Sequence, residues 1–332
     1  MSDNDNEAVV WFLYMGQPIE DIPRDVTHAR IDPSVRVIAA RAFRNCEQLV
    51  EVELCEGLEQ IGEYAFKNCK SVKRMRVPSS VRVIGKGAFR GCEQLMEVEL
   101  SDGLQQIGDF TFSRDKSLMR VKIPSTVKVI GRLAFCSCSQ LLEVEFCEGL
   151  EQIKEKAFAG CISLKRIKVP SSVKEIENEV FCWCLKLVKV ELREGLEKVG
   201  EGAFSNCESL KCLRVPSAVK VIGKEAFLGC TQLVAVEISD RIKKVGKFAF
   251  GYCYSLRNIP PQVAQTMKCL VPSCHDLLKL FGSQQMVYDA LKSRFHGLPI
   301  HKLCYNQSYY PTDMIINRLK DIIDPNPDHN EQ

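Results

Sequence analysis

The chain has 332 residues, 45% of them hydrophobic, with 45 basic and 42 acidic side chains and a formal net charge of +3. Such balance argues against nucleic acid or an anionic membrane surface as the partner, because those binders cluster one sign of charge. No apolar stretch reaches the roughly 18 residues that a membrane-crossing helix needs, so no membrane span is expected.

The N-terminus, Met1 to Glu7, is acidic and polar, and the apolar run Ala8 to Met15 that follows is short and lacks a basic lead-in. It does not read as a signal peptide, and a cytoplasmic setting is the expectation. Val9 to Tyr14 reads as a strand. Residues 1–30 do not fit the pattern that follows and are expected to cap the open end of a stack.

From residue 31 the text repeats. A phenylalanine returns every 23 residues without insertion or deletion, at Phe43, Phe66, Phe89, Phe112, Phe135, Phe158, Phe181, Phe204, Phe227 and Phe250. A period of this length marks a solenoid, in which each unit buries its apolar face only against its neighbours. Within one unit, Ala65, Phe66 and Cys69 are spaced for a helical or 3₁₀ turn. Met75 and Val77 alternate with Arg74 and Arg76, which is strand periodicity. Val72 before that strand, with Val81 and Ile84 after it, completes eight inward positions per unit. Burial of such a side chain contributes roughly 1.5–3 kcal/mol before chain entropy is subtracted.

Two kinds of unit alternate. One turns through Glu56-Gly57-Leu58 and its copies at Asp102, Glu148 and Glu194; the other turns through Pro78-Ser79 and its copies at Pro124, Pro170 and Pro216. Proline cannot donate to a ladder and suits a strand end. The outward strand position alternates with the same double period: Glu53, Arg76, Glu99, Lys122, Glu145, Lys168, Glu191, Arg214, Glu237. In a parallel sheet these charges fall on neighbouring strands. Each exposed pair contributes only about 0.2–1 kcal/mol, but a slip by one unit would place like on like, so the pattern specifies register.

Of 17 cysteines, nine stand three residues after the phenylalanine, from Cys46 to Cys253, with Asp115 as the single break. Equivalent positions make a ladder of small buried side chains rather than a set of bridges, and the thiols read as reduced.

After Phe250 the pattern decays. Helical spacing is read over Asp276 to Phe281, Gln284 to Phe295 and Thr312 to Ile323, and Asp324 to Gln332 is a polar tail. The domain reading is therefore 1–30 cap, 31–261 solenoid, 262–323 helical cap and 324–332 disordered tail.

The phrase Leu49-x-x-Val52-x-Leu54 and its copies match the core of leucine-rich repeats. The phrase Ala65-Phe66-x-x-Cys69-x-x-Val72, with Ile-Gly before it, resembles the BspA-like subclass over about residues 31–261. That resemblance implies a leucine-rich repeat horseshoe with a parallel β-sheet, serving mostly for adhesion or protein interaction. Bacterial members are often secreted; this chain looks closer to the intracellular style of protists and algae. Leu298 to Cys304 is similar to the ankyrin phrase T-P-L-H-x-A and suggests a degenerate cap.

No catalytic constellation is legible. All five histidines, His28, His275, His296, His301 and His329, lie outside the repeats, and no phosphate loop, G-x-S-x-G or H-E-x-x-H occurs. Cys269, Cys274, His275, His296, His301 and Cys304 have irregular spacing for zinc, and Cys136-x-Cys138 and Cys182-x-Cys184 are weak as metal or redox pairs. No cofactor is called for.

The better lead is where the repeat breaks its own rule. Two residues after the phenylalanine the usual Asn or Gly gives way to Trp183 and Tyr252; two further on stand Ile162, Leu185 and Tyr254 in place of polar residues. Ile162 and Leu185 belong to adjacent units and should stack beside Trp183 as an exposed apolar patch. The expected function is non-enzymatic display of a rigid surface to a protein partner, with a self-associating scaffold as the alternative.

Overall fold

The computed structural model describes residues 10–253, 255–257 and 260. The helical segments, the ankyrin-like phrase, the zinc candidates and Tyr254 lie outside them. The described chain is a stack of 23-residue coils bearing two faces of parallel strands. One face carries the longer strands, among them Arg74–Val77, Glu97–Leu100, Arg120–Ile123, Glu143–Phe146, Arg166–Val169 and Lys189–Leu192. The other is a ten-stranded sheet of two-residue strands running from Val37–Ile38 to Lys244–Val245. Residues pair with the equivalent position one coil away, as in Arg76 with Glu99 and Val83 with Gln106. The register is the one the charge alternation specifies.

The eight inward positions are the core. Ala65, Phe66, Cys69, Val72, Met75, Val77, Val81 and Ile84 are each at most 2% exposed. The phenylalanine rings form one column, face to face at 5.0–5.5 Å and within 17° of parallel from Phe43 to Phe250. At the N-terminal end Trp11–Tyr14 pairs in parallel with His28–Ile31, and the buried Tyr14 ring packs on Phe43 at 5.3 Å. This strand continues the stack by one rung and closes the phenylalanine column with an aromatic ring.

The segment around each phenylalanine is not the helical turn that its spacing suggests. It is a run of turns with a left-handed residue two before and two after the ring: Arg41 and Asn45, Tyr64 and Asn68, Glu179 and Trp183, with φ from 53° to 64°. Left-handed backbone is costly for side chains other than glycine, and the hydrogen bonds show what offsets it. Amides at the ring and at the two left-handed residues donate to the next coil, as Arg41 to Glu63, Phe43 to Ala65 and Asn45 to Lys67. The amides between them turn back, as Ala42 to Ala39 and Arg44 to Arg41. A helix would direct every amide inward along its own axis and leave the coils unjoined at this corner.

The long-strand face is joined unevenly. Pro-Ser coils pair fully with the coil after them, through four residue pairs at Arg74–Val77 with Glu97–Leu100, Arg120–Ile123 with Glu143–Phe146 and Arg166–Val169 with Lys189–Leu192, and through three at Cys212–Arg214 with Ala235–Glu237. They pair thinly with the coil before them, through Glu97 with Arg120 alone, Glu143 with Arg166 alone and Lys189 with Cys212 alone. Between Glu51–Glu53 and Arg74–Val77 the sheet is interrupted. The prolines at 78, 124, 170 and 216 explain the asymmetry. Each sits at the end of a strand and has no N–H to give to the preceding coil.

The cysteine ladder is reduced and has a specific partner. Cys69 Sγ donates to the Phe43 carbonyl at 3.1 Å, Cys92 to Phe66 at 3.2 Å, and the pattern continues to Cys253 on Phe227 at 3.3 Å. Burial raises the thiol pKa values well above their ordinary range, so these groups are unreactive. Asp115 sits in this column fully buried. Its Oδ1 accepts the Cys92 N–H at 2.9 Å while Oδ2 is buried without a partner.

Burial pushes the Asp115 carboxyl well above its ordinary value of 3.8. The favourable contribution of its neutral form is complete below about that value and is lost as pH rises through the folded-state value. Asp115→Cys should therefore raise stability at pH 7 by about 1–3 kcal/mol, with the gain shrinking toward pH 4 in urea titrations. An unchanged midpoint at pH 7 would contradict the cost assigned to the buried carboxyl. Phe158→Ala, which opens a hole in the ring column, should cost about 3–5 kcal/mol by the same titration.

Candidate functional site

The structure places the apolar candidates on the phenylalanine corner. Ile162 is 40% exposed, and the Lys186 N–H donates to its carbonyl at 3.2 Å, which ties it to the coil of Leu185. Leu185 and Trp183 are half-buried. Trp183 is left-handed at φ 62° and its N–H donates to the Ser205 carbonyl at 2.8 Å. Ile162 thus lies on one side of a seam, and Trp183 and Leu185 belong to the coil on the other side. Tyr252 is also half-buried and left-handed, at φ 58°, but it lies three coils further on, roughly 15 Å along the stack. It belongs to a different part of the corner.

A second apolar row was not legible as such in the sequence. Seven residues after the phenylalanine, Met96 and Met119 are 41% and 46% exposed, Leu142 is half-buried and Val188 is exposed. These positions immediately precede the long strands, and Leu142 N–H bonds the Met119 carbonyl at 2.8 Å. The available signal was parity: the residue lies one step from the inward Leu95 and Leu118 and so faces out. Three successive coils carry apolar side chains there, bracketed by Lys73 and Lys165.

The charged face is paired in doublets rather than as one continuous ladder. Arg30 bonds Glu53, Arg76 bonds Glu99 at 3.3 Å, Arg120 bonds Glu143 at 3.8 Å, Lys122 bonds Glu145 at 3.8 Å and Arg214 bonds Glu237 at 3.6 Å. Every one of these crosses a fully hydrogen-bonded seam. At the interrupted seam Glu53 turns back to Arg30 and Arg76 turns forward to Glu99. Between them opens a cleft of about 820 Å³ with Glu51, Glu53 and Glu56 on one side and Lys73, Arg74 and Arg76 on the other.

The remaining candidates have structural explanations. Cys182 is buried and its thiol is pushed up to about 12, chiefly by burial and then by Glu179. Cys136 is half-buried, with Sγ 3.5 Å from Ser137 Oγ. Among the described residues no three His, Cys, Asp or Glu side chains are grouped to hold a metal, and no helix is long and apolar enough to cross a membrane.

A family described as BspA type leucine rich repeat region matches in six copies, over residues 24–142, 59–188 and 151–270. A leucine-rich repeat protein from Bacteroides ovatus is similar at 25% identity and a TM-score of 0.64, over 73% of this chain and 64% of that one. The present chain thus spans less than two thirds of that relative. A leucine-rich repeat protein of T. pallidum is 32% identical over 53% of this chain and 78% of its own, with a TM-score of 0.43. A leucine rich cell surface protein from Faecalibacterium prausnitzii is 25% identical over 70% of this chain and 78% of that one, with a TM-score of 0.41. No curated protein matches.

Because the sheet-face pairs are exposed, Glu99→Lys should lower stability by no more than about 1 kcal/mol. The loss should fade as salt is raised in thermal melts. A salt-independent loss would mean that Glu99 does more than pair with Arg76.

Proposed function

The chain belongs to the BspA-type leucine-rich repeat family, and on that premise we propose that its work is to bind another protein on a preformed surface, without catalysis. The observation that carries this reading is the apolar set Ile162, Trp183 and Leu185, held on one corner of a stack whose backbone is bonded coil to coil. Surface apolar clusters of this kind mark interaction sites, and tryptophan is enriched among residues that dominate binding energy. Rigidity adds to affinity, because little ordering entropy is lost when a preformed surface binds. The column of free, buried thiols suits a reducing compartment, which supports an intracellular setting.

A second reading, self-association, is favoured by the first strand. Val10, Leu13 and Met15 are 82%, 44% and 64% exposed on and beside Trp11–Tyr14. A strand at the end of a stack with apolar side chains outward can pair with another chain.

One capture experiment separates the two. Lysate of the source organism is passed over the native chain and over a Trp183→Asp, Leu185→Asp double variant, with circular dichroism confirming that both fold. Capture of a protein by the native chain and its loss with the variant is the expected result. Equal capture by both would remove the apolar patch as the binding surface. Recovery of the bait alone would favour self-association.

A further inference from the structure

One charge cluster combines like charge, partial burial and aromatic support on a single corner. Arg44, Lys67 and Arg90 follow the phenylalanine in three successive coils, whose stacked rings set a repeat of 5.2–5.4 Å. Arg41 and Arg114 flank them on left-handed positions of the first and fourth coils. Several cations elsewhere are matched to an acid one coil away, as Lys128 with Glu151 and Lys220 with Glu197. Among the described residues none of these five makes an ion pair.

The cluster is held in place by its own aromatic rings. Lys67 Nζ lies 5.5 Å from the centre of the Tyr64 ring, and the Arg90 guanidinium lies 5.2 Å from that of Phe110. Arg44 Nε is buried with no hydrogen-bond partner, and Arg24 Nη1 reaches the Arg44 carbonyl at 2.7 Å, adding a sixth cation. The Lys67 ammonium is held below its ordinary pKa, first by burial and then by Arg44, Arg90, Arg114 and Arg41. The acids on this corner in the same coils are Glu47, Glu63, Glu93 and Asp109; Glu47 and Glu93 are taken up by Lys70 and Lys116, and Asp109 Oδ1 accepts the Arg132 N–H at 2.8 Å. The corner is therefore a row of like charges, partly desolvated and pre-positioned, none of which is matched by an ion pair among the described residues.

We propose that this corner binds an oxyanion-rich segment of a partner protein, bearing carboxylates or phosphoryl groups in a row. Four of the five cations are arginine, whose planar fork matches both groups bidentately. Single-stranded nucleic acid fits less well. It needs open aromatic faces for its bases, and here Tyr64 and Phe110 already carry Lys67 and Arg90. The proposal rests on the protein-binding reading only for the class of partner, since the corner lies some three coils from Ile162 and Leu185.

The test uses the purified full chain and defined probes, so its failure is distinct from failure of the lysate capture. Fluorescence anisotropy would follow labelled octaglutamate, a peptide carrying two phosphoserines, and an oligothymidylate. Binding of at least one peptide is expected, falling as salt rises and weakened about tenfold or more in Lys67→Glu, Arg90→Glu. A control Lys128→Glu, Lys220→Glu variant on the short-strand sheet should bind as the native chain does. The tighter peptide identifies the oxyanion. If the charge reversal unfolds the protein, Lys67→Gln, Arg90→Gln serves instead, with the same direction expected. No saturable binding of either peptide, or equal binding by native chain and variant, would overturn the proposal. Tighter binding of oligothymidylate through the same residues would overturn it in favour of nucleic acid.

Discussion

Everything in this molecule depends on a coil being able to bury its phenylalanine only between the phenylalanines of its neighbours. Rings 5.0–5.5 Å apart and nearly parallel leave no room for a coil of another length. One inserted residue would displace a ring from the column and break the amide bonds that join each ring's coil to the next. The strict spacing of ten phenylalanines is the sequence-level trace of that constraint. The same constraint produces the left-handed residues on either side of the ring, because the corner must send alternate amides out to the next coil.

Within that frame the two kinds of coil divide the work of joining the stack. The Glu-Gly-Leu turn needs a left-handed glycine, with φ 96° at Gly57 and 105° at Gly149. The following Pro-Ser coil supports it through serine: Ser80 Oγ accepts the Gly57 N–H at 3.0 Å and Ser172 Oγ the Gly149 N–H at 3.2 Å. The adjacent serine bonds the turn glutamate, Ser79 to Glu56 at 3.2 Å and Ser171 to Glu148 at 3.0 Å. Side-chain bonds at the turn thus link the very seams that proline leaves thin on the sheet. The charges follow the same division, pairing where the backbone ladder is complete.

Surface chemistry is then free to differ along one corner while the backbone repeats. Its early coils carry Arg44, Lys67 and Arg90, and its later coils carry Ile162, Trp183 and Leu185 at neighbouring positions. One corner thus carries a cationic stretch and an apolar stretch on the same repeating backbone. The buried thiols and stacked rings supply its rigidity, and take no part in chemistry because burial keeps the thiols protonated.

The sequence by itself determined the architecture, because a repeat that buries its face only against itself must announce its period, its inward positions and its register in residue spacing. Phe43 to Phe250, the cysteine column and the alternation from Glu53 to Glu237 were all legible for that reason. The left-handed residue after each ring was half legible, through Asn45, Asn68 and Gly91, whereas the one before it was not, since Arg41, Tyr64 and Glu179 share no chemical type. What only the tertiary structure decided was which neighbours meet. Proline's missing donor splits the charged ladder into doublets, and the cations after three successive rings collect into one row that makes no ion pair among the described residues. These are relations between residues 23 apart in sequence yet about one strand spacing apart in space, and no local pattern records whether a given charge finds its partner.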